Sequence, residues 1–301
     1  MEYNRGNNEI MSMEIKASEM PLQSNGSVYH LNLQPNEIAD NIILVGDPGR
    51  VPIVSAKFDA IETIKQNREM LTHTGTYKNK RISVLSTGMG TDNLDIVINE
   101  LDALVNIDLQ KRAAKETHKS LNLIRLGTCG SLQPDIELNT YIASAYSLGM
   151  DGLLHYYKHD ENVSQEEIVS EFMEKTAWNA NLARPYAVAA SDILMEKIAF
   201  DMRKGITLTA SGFYAPQCRV LRLPLGVDDF AEKLIHAKCK ELPFTNMEME
   251  SSALYCLSKL LGHNALTICV CITNRPNKTF CENYHSAMDK LINTVLDRLA
   301  N

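Results

Sequence analysis

The sequence predicts one α/β domain in which helices flank a central mixed β-sheet. Three observations carry that expectation. Short apolar runs alternate with stretches where apolar residues recur at helical spacing. Three of the runs stop at a glycine. No linker rich in proline, glycine or serine divides the 301 residues, a length that suits one large domain or two ordinary ones.

In chain order, Ile42-Ile43-Leu44-Val45 reads as a buried strand stopped by Gly46. Residues 81–87 form a second strand, stopped by Gly88-Met89-Gly90. Leu94, Val97, Ile98, Leu101, Leu104 and Val105 then share one helix face, with Thr91 or Asp92 as candidate N-cap. A polar stretch over 109–119 separates that helix from a strand at 123–126, which ends in Gly127-Thr128-Cys129-Gly130. Strands follow at 141–146, 186–190 and 206–210, and Ser191 caps a helix through Phe200. Residues 249–261 read as a helix, 265–273 as a strongly apolar strand, and Met288, Leu291, Ile292, Val295 and Leu299 as a closing helix. Ligands of such folds bind beyond the carboxyl ends of the strands.

Composition narrows the function. Net charge is −7 and no basic cluster is present, so nucleic acid is an unlikely partner class. The cysteines number seven, an odd count without a Cys-x-x-Cys, which indicates neither a disulfide framework nor a zinc site. Cys269 and Cys271 read as small buried hydrophobes, and the usage fits a reducing cytoplasm. No run is long enough to span a bilayer. Residues 1–26 are polar and lack an apolar signal core. They are expected to form a disordered extension, with Met11 or Met13 as an alternative start, ahead of a domain over 27–301.

Three constellations carry chemistry. In Gly212-Phe213-Tyr214-Ala215-Pro216-Gln217-Cys218-Arg219, an amide precedes a guanidinium, with an aromatic upstream. An amide supplies donor and acceptor, arginine donors only; together they suit a ring edge presenting acceptor, N–H, acceptor, as uracil does. Gln-x-Arg alone is common in surface loops. Arg50, after the Gly46 turn, and Arg125, followed by Gly127 and Thr128, both lie at strand ends and match a phosphate bidentately. Each alone is more often paired with a surface carboxylate; two at strand ends favour one shared phosphate. Neither Gly-x-Gly-x-x-Gly nor a P-loop occurs, which disfavours dinucleotides and ATP. Glu250 falls in the first turn of the 249–261 helix, where complementing the helix dipole explains it. Its functional alternative is to accept hydrogen bonds from vicinal sugar hydroxyls beside a carbon that becomes cationic.

Taken together, GDPGR (46–50), STGMG (86–90), RLGTCG (125–130), FYAPQCR (213–219), NMEMES (246–251) and TNR (273–275) resemble the nucleoside phosphorylase superfamily, and within it the uridine phosphorylases. The likeness runs from about His30 to the C-terminus. It implies a single α/β domain assembled as hexamers of dimers, with small-molecule substrates and sites shared between subunits. The reaction implied is reversible phosphorolysis of uridine to uracil and ribose 1-phosphate, with inorganic phosphate as substrate and neither cofactor nor catalytic metal. By resemblance Gly46, Arg50, Arg125 and Thr128 hold phosphate, joined by Arg68 of the partner subunit. Met249 and Glu250 hold the ribose, with His30 of the partner subunit near its 5′-hydroxyl. Tyr29 and Phe213 pack on sugar and base. Gln217 and Arg219 read uracil, Cys129 and Gly130 line the base site, and Arg275 lies at the far edge of the base. Arg219, Gln217 and Glu250 are the implied catalytic residues. Thr91-Asp92-Asn93 departs from the family pattern of small residues, proline and serine, which argues against a monovalent-cation site with a glutamate such as Glu69. A purine nucleoside phosphorylase, a phosphate-independent nucleosidase and a non-catalytic nucleoside-binding protein remain as alternatives. The purine reading is weakened because Ile272-Thr273-Asn274-Arg275 lacks the aspartate of purine-specific relatives.

Overall fold

The structure is a computed structural model and describes residues 14–301. Its centre is a twelve-stranded mixed sheet in the order β11-β12-β10-β8-β13-β7-β1-β4-β3-β2, with β9 beside β8 and β14 beside β13. The strands are β1 (Asn41–Val45), β2 (Ala60–Asn67), β3 (Met70–Tyr77), β4 (Lys80–Ser86), β7 (Asn122–Ser131), β8 (Tyr141–Gly149), β9 (Tyr186–Ala189), β10 (Arg203–Thr209), β11 (Lys238–Cys239), β12 (Leu242–Glu248), β13 (Asn264–Asn274) and β14 (Thr279–Phe280). A separate hairpin joins β5 (Ile107–Asp108) to β6 (Ala113–Ala114). The helices are α1 (Arg50–Ser55), α2 (Thr91–Asn106), α3 (Glu166–Thr176), α4 (Asp192–Ile198), α5 (Phe230–Lys233), α6 (Ser251–Leu261) and α7 (His285–Ala300).

Strands β4, β1, β7 and β13 run parallel, as do β8, β10 and β12, while β13 meets β8 antiparallel. Side chains alternate across the pleat, so each strand feeds two cores. Ile42 and Leu44 pack with α2 and α6 on one face; Ile43 and Val45 pack with α1, α4 and α7 on the other. Cover on both faces explains why β13 reads as one continuous apolar run. A third core, built on Phe172, Phe230 and Phe244, closes the β8–β10–β12 end.

The expected mixed α/β architecture is present, and several boundaries shift. Gly90, with φ 96°, occupies the N-cap of α2; Thr91 and Asp92 already lie inside the helix. β7 does not end at Gly127 but runs on to Ser131, because β13 pairs with it along that stretch. Asn246 to Glu248 belong to β12, and α6 begins only at Ser251. Ser191 stands at the N-cap of α4 without a side-chain cap bond; its hydroxyl donates to Asn264 Oδ1 at 3.1 Å, and the helix stops at Ile198. The β2–β3 hairpin was not expected, and α3 was overlooked although Ile168, Val169 and Phe172 recur at helical spacing. β2 is an edge strand with exposed and half-buried residues throughout, so no apolar alternation marks it.

The expected disordered segment 1–26 needs correction from residue 14 onward, and residues 1–13 lie outside the described residues. Arg112, at φ 53° in the β5–β6 turn, donates from Nε to Ile15 O at 2.7 Å and from Nη2 to Lys16 O at 3.1 Å and to Met20 O. Met20 is buried, and Leu22 bridges Val28. The polar 109–119 stretch thus acquires a structural role as the clamp on this segment. Among the described residues, no helix is long and apolar enough to cross a membrane.

Candidate active site

A cavity of about 710 Å³ opens at the carboxyl ends of the parallel strands. Its walls combine the turn after β1, the Gly88-Met89 turn after β4, the second half of β7, the loop after β10 and the β12–α6 junction. Gly46, Arg50, Arg125, Thr128, Cys129, Gly130, Phe213, Gln217, Arg219, Met249 and Glu250 all line it. These expected residues, scattered over two hundred positions of sequence, converge because β1, β4 and β7 end side by side and β12, pairing antiparallel with the last residues of β7, brings its own end to them.

At one end sits Arg50, the first residue of α1 and 9% exposed. Its Nη1 donates to Leu126 O at 3.2 Å, and no carboxylate among the described residues pairs with it. A Cβ on Gly46 would stand 3.4 Å from Gly88 O, so the two glycine turns already touch. Thr128 is half-buried beside them in β7.

Arg125 has other partners than a surface carboxylate. It is 4% exposed; its Nη2 donates to Glu250 Oε2, and its Nη1 lies 3.2 Å from Glu248 Oε2 and 3.6 Å from Cys269 Sγ. The guanidinium curls back over Gly127, where a Cβ would come within 2.2 Å of Nη1. Burial opposes its charge, but Glu250 and Glu248 outweigh that and hold its pKa above the ordinary arginine value. Burial pushes the Glu250 carboxyl up against the pull of Arg125, and Glu248 adds to the push.

The carboxylate that meets the start of α6 is Glu248, not Glu250. Glu248 accepts from the backbone N–H groups of Glu250 at 3.0 Å and Ser251 at 3.0 and 3.1 Å. Glu250, at the N-cap, turns its side chain outward and accepts from Gly90 N at 2.9 Å. The dipole argument therefore belongs to its neighbour, and Glu250 is left facing the cavity.

At the other end the 212–219 loop forms a short 3₁₀ turn over Ala215–Gln217, closed by Cys218 at φ 55°. Gln217 is buried, and its Oε1 accepts from Arg219 Nη1. Arg219 also donates to Phe213 O at 2.9 Å and stacks 4.1 Å from the centre of the Phe213 ring. Burial and the nearby Arg275 lower its pKa to about 10, which leaves it charged at neutral pH. A Cβ on Gly130 would lie 3.5 Å from Arg219 Nη2, so bare backbone forms the opposite wall.

Four expected residues are not brought into this cavity. Arg275 is half-buried behind the loop, donating to Gln217 O and, at 3.2 Å, to Cys218 O. Its guanidinium braces the loop where contact with a base was expected. Tyr29, His30 and Arg68 are not in the lining, although Glu69, next to Arg68, is. His30 Nδ1 is 2.7 Å from Glu100 Oε1, and Asn67 Nδ2 donates to Tyr29 O at 3.1 Å and His30 O at 2.9 Å. Arg68 is exposed at φ 52° in the turn between β2 and β3.

Glu248 was missed by the reading of the sequence. The signal was present: polar residues at every second position of two buried strands, Thr207 and Thr209 in β10, Asn246 and Glu248 in β12. Asn93 also lines the cavity, its Nδ2 donating to Met89 O at 3.3 Å. Away from the cavity, Asp102, His118 and His263 approach within metal-ligating distance of one another, a grouping no sequence spacing announced. His263 Nδ1 accepts from Leu121 N at 3.2 Å, which leaves its proton on Nε2, 3.2 Å from Asp102 Oδ1. That tautomer suits an imidazole–carboxylate pair better than a metal ligand.

Comparison with known proteins agrees with this geometry. The model of the phosphorylase superfamily matches residues 40–299. A uridine phosphorylase of Thermococcus kodakarensis is 30% identical over 266 residues, 88% of this chain and 83% of that protein. A DeoD-type purine nucleoside phosphorylase of Bacillus cereus is 30% identical over 271 residues, 89% of this chain and 97% of that protein. Among solved structures, a Trypanosoma brucei nucleoside phosphorylase described as showing uridine phosphorylase activity superposes with a TM-score of 0.85 at 31% identity, covering 93% of this chain and 99% of that one. With its fold, its strand-end cavity and a match spanning most of its length, the chain belongs to the phosphorylase superfamily.

Proposed function

We propose that this protein catalyses the reversible phosphorolysis of uridine to uracil and ribose 1-phosphate. One observation carries the reading. The Gln217–Arg219 pair and the Arg50 guanidinium open into the same cavity, with Met249 and Glu250 also on its wall. A relative named for uridine and one named for purine nucleosides are each 30% identical to this chain, so overall identity does not choose the base and the reading rests on the loop. The end of β13 supports a pyrimidine. Asn274 stands where purine-specific relatives would carry an aspartate; it is buried, its Nδ2 donates to Gln133 O at 3.0 Å and Ile136 O at 2.8 Å, and it does not line the cavity.

In this reading Arg50, Thr128 and the Gly46 backbone orient phosphate toward C1′, with Arg125 behind them. Phosphate is already an anion, so attack needs no strong base, and orientation supplies much of the gain. As the C1′–N1 bond breaks, its electron pair enters the pyrimidine and a phosphate oxygen bonds to C1′. Charge collects on the ring oxygens, where donors from Gln217 and Arg219 strengthen as it grows. Glu250 faces the ribose hydroxyls and the cationic sugar carbon. No cofactor is required for these steps.

The proposal includes assembly from at least two subunits, hexamers being the larger form, and residence in the cytoplasm. Tyr29, His30 and Arg68 are not in the lining of their own cavity, as residues serving a neighbour's site would not be. All seven cysteines are free thiols, which suits a reducing compartment. Uracil release from uridine, with and without phosphate and with inosine and thymidine as competitors, tests the activity. Release that ignores phosphate would make the protein a nucleosidase, and a preference for inosine would make it a purine phosphorylase.

A further inference from the structure

We infer that Thr209 is a positioning residue for this reaction: through Glu248 it fixes Arg125 and turns Glu250 toward the sugar. The inference rests on the phosphorolysis reading above. Thr209 is fully buried at the end of β10, in register with Glu248 of β12. Its Oγ1 accepts from Ser252 N at 3.0 Å. It lies 2.6 Å from Glu248 Oε1, to which only the hydroxyl can donate. Ser147 Oγ stands 3.0 Å from the same hydroxyl, whose one proton is already committed, so Ser147 must be the donor. The row therefore has a single direction, from Ser147 to Thr209 to Glu248.

Glu248 is saturated by this arrangement. One oxygen takes Thr209 and Ser251 N; the other takes Glu250 N, Ser251 N and the Arg125 guanidinium. It has little capacity left for a substrate. Glu250 has Gly90 N on one oxygen and Arg125 on the other, and keeps lone pairs for the cavity. Two adjacent acids thus divide the work, one holding the frame and one meeting the sugar. The preceding row repeats the pattern, with Ser144 beside Thr207 and Thr207 donating to Asn246 Oδ1 at 2.9 Å, but it ends on a neutral amide that does not line the cavity. Only the last row is coupled to a charge at the site.

The test compares Thr209→Val, Thr209→Ser and the milder Ser147→Ala with the wild type. Rates and KM are taken on whichever of uridine, inosine or thymidine the wild type turns over fastest, so a wrong choice of base leaves the test of Thr209 standing; phosphate affinity and urea unfolding are measured on the same samples. Thr209→Val is expected to lower kcat about 10- to 100-fold, the effect of losing a hydrogen bond to a charged group, with KM for phosphate within about 3-fold of wild type. Thr209→Ser keeps the hydroxyl and is expected within about 3-fold of wild-type kcat. Ser147→Ala, one bond removed, is expected to lower kcat about 3-fold and stands in should the valine variant not fold. Equal loss in the valine and serine variants would assign the effect to packing and overturn the inference. So would wild-type kcat in a folded valine variant, or, if that variant does not fold, an unchanged kcat in Ser147→Ala.

Discussion

Arg125 and Arg219 line one cavity under opposite conditions. Arg125 rises from a ten-residue strand in the middle of the sheet, pairs with two buried carboxylates and is pushed further toward its charged form. Arg219 sits on an irregular loop, half-buried, held by a backbone carbonyl, an amide and an aromatic face, with its pKa lowered to about 10. The difference separates structure from recognition. The Arg125 end of the cavity is part of the core, so its chemistry cannot be altered without disturbing the fold. The Gln217–Arg219 end is hung on a loop and can be changed nearly independently of that core.

Removing each arginine in turn should expose the contrast. Arg125→Ala leaves Glu248 and Glu250 as uncompensated buried charges, and urea unfolding should show a loss of about 3–5 kcal/mol together with abolished turnover. A stability loss under about 1 kcal/mol would erase the distinction. Arg219→Ala should lower kcat by about 10²–10³-fold while shifting stability by less than about 1 kcal/mol, since a half-exposed loop residue leaves no buried charge behind. Near-wild-type turnover would remove Arg219 from the mechanism. Arg275→Ala sharpens the picture, because among the described residues that side chain gives its hydrogen bonds to loop carbonyls. It should raise KM for uridine about 10-fold with KM for phosphate unchanged, as initial rates at varied phosphate would show. The smallest effect is in the pH profile. A carboxyl raised by burial loses its negative charge at a higher pH than an ordinary glutamate as the solution is acidified. The acid limb of kcat should therefore begin above the usual carboxylate range, and Glu250→Gln should flatten it at a lower plateau.

Much of this arrangement was legible from residue types alone. Apolar runs located β1, β4, β7 and β13, and the motif residues at their ends proved to share one cavity. What failed to show was anything set by partners distant in sequence. Gly127 to Gly130 look like a turn, yet hydrogen bonds to β13 draw them into a strand. Glu250 resembles a helix-dipole residue until Glu248 is seen to occupy that role. Arg275 carries the right charge near the right loop, but its reach ends on backbone. Residue chemistry together with the family resemblance named which residues would gather, and only tertiary geometry decided which of them face the cavity.

Gly127 adds a constraint that no charged residue reveals. The space a methyl group would need there is filled by the Arg125 guanidinium. Alanine at 127 would have to evict that head group from its two acids, since the strand on either side is locked by its neighbours. A hydrogen atom on one backbone carbon therefore keeps the room that head group occupies. A screen confined to polar side chains would pass over it.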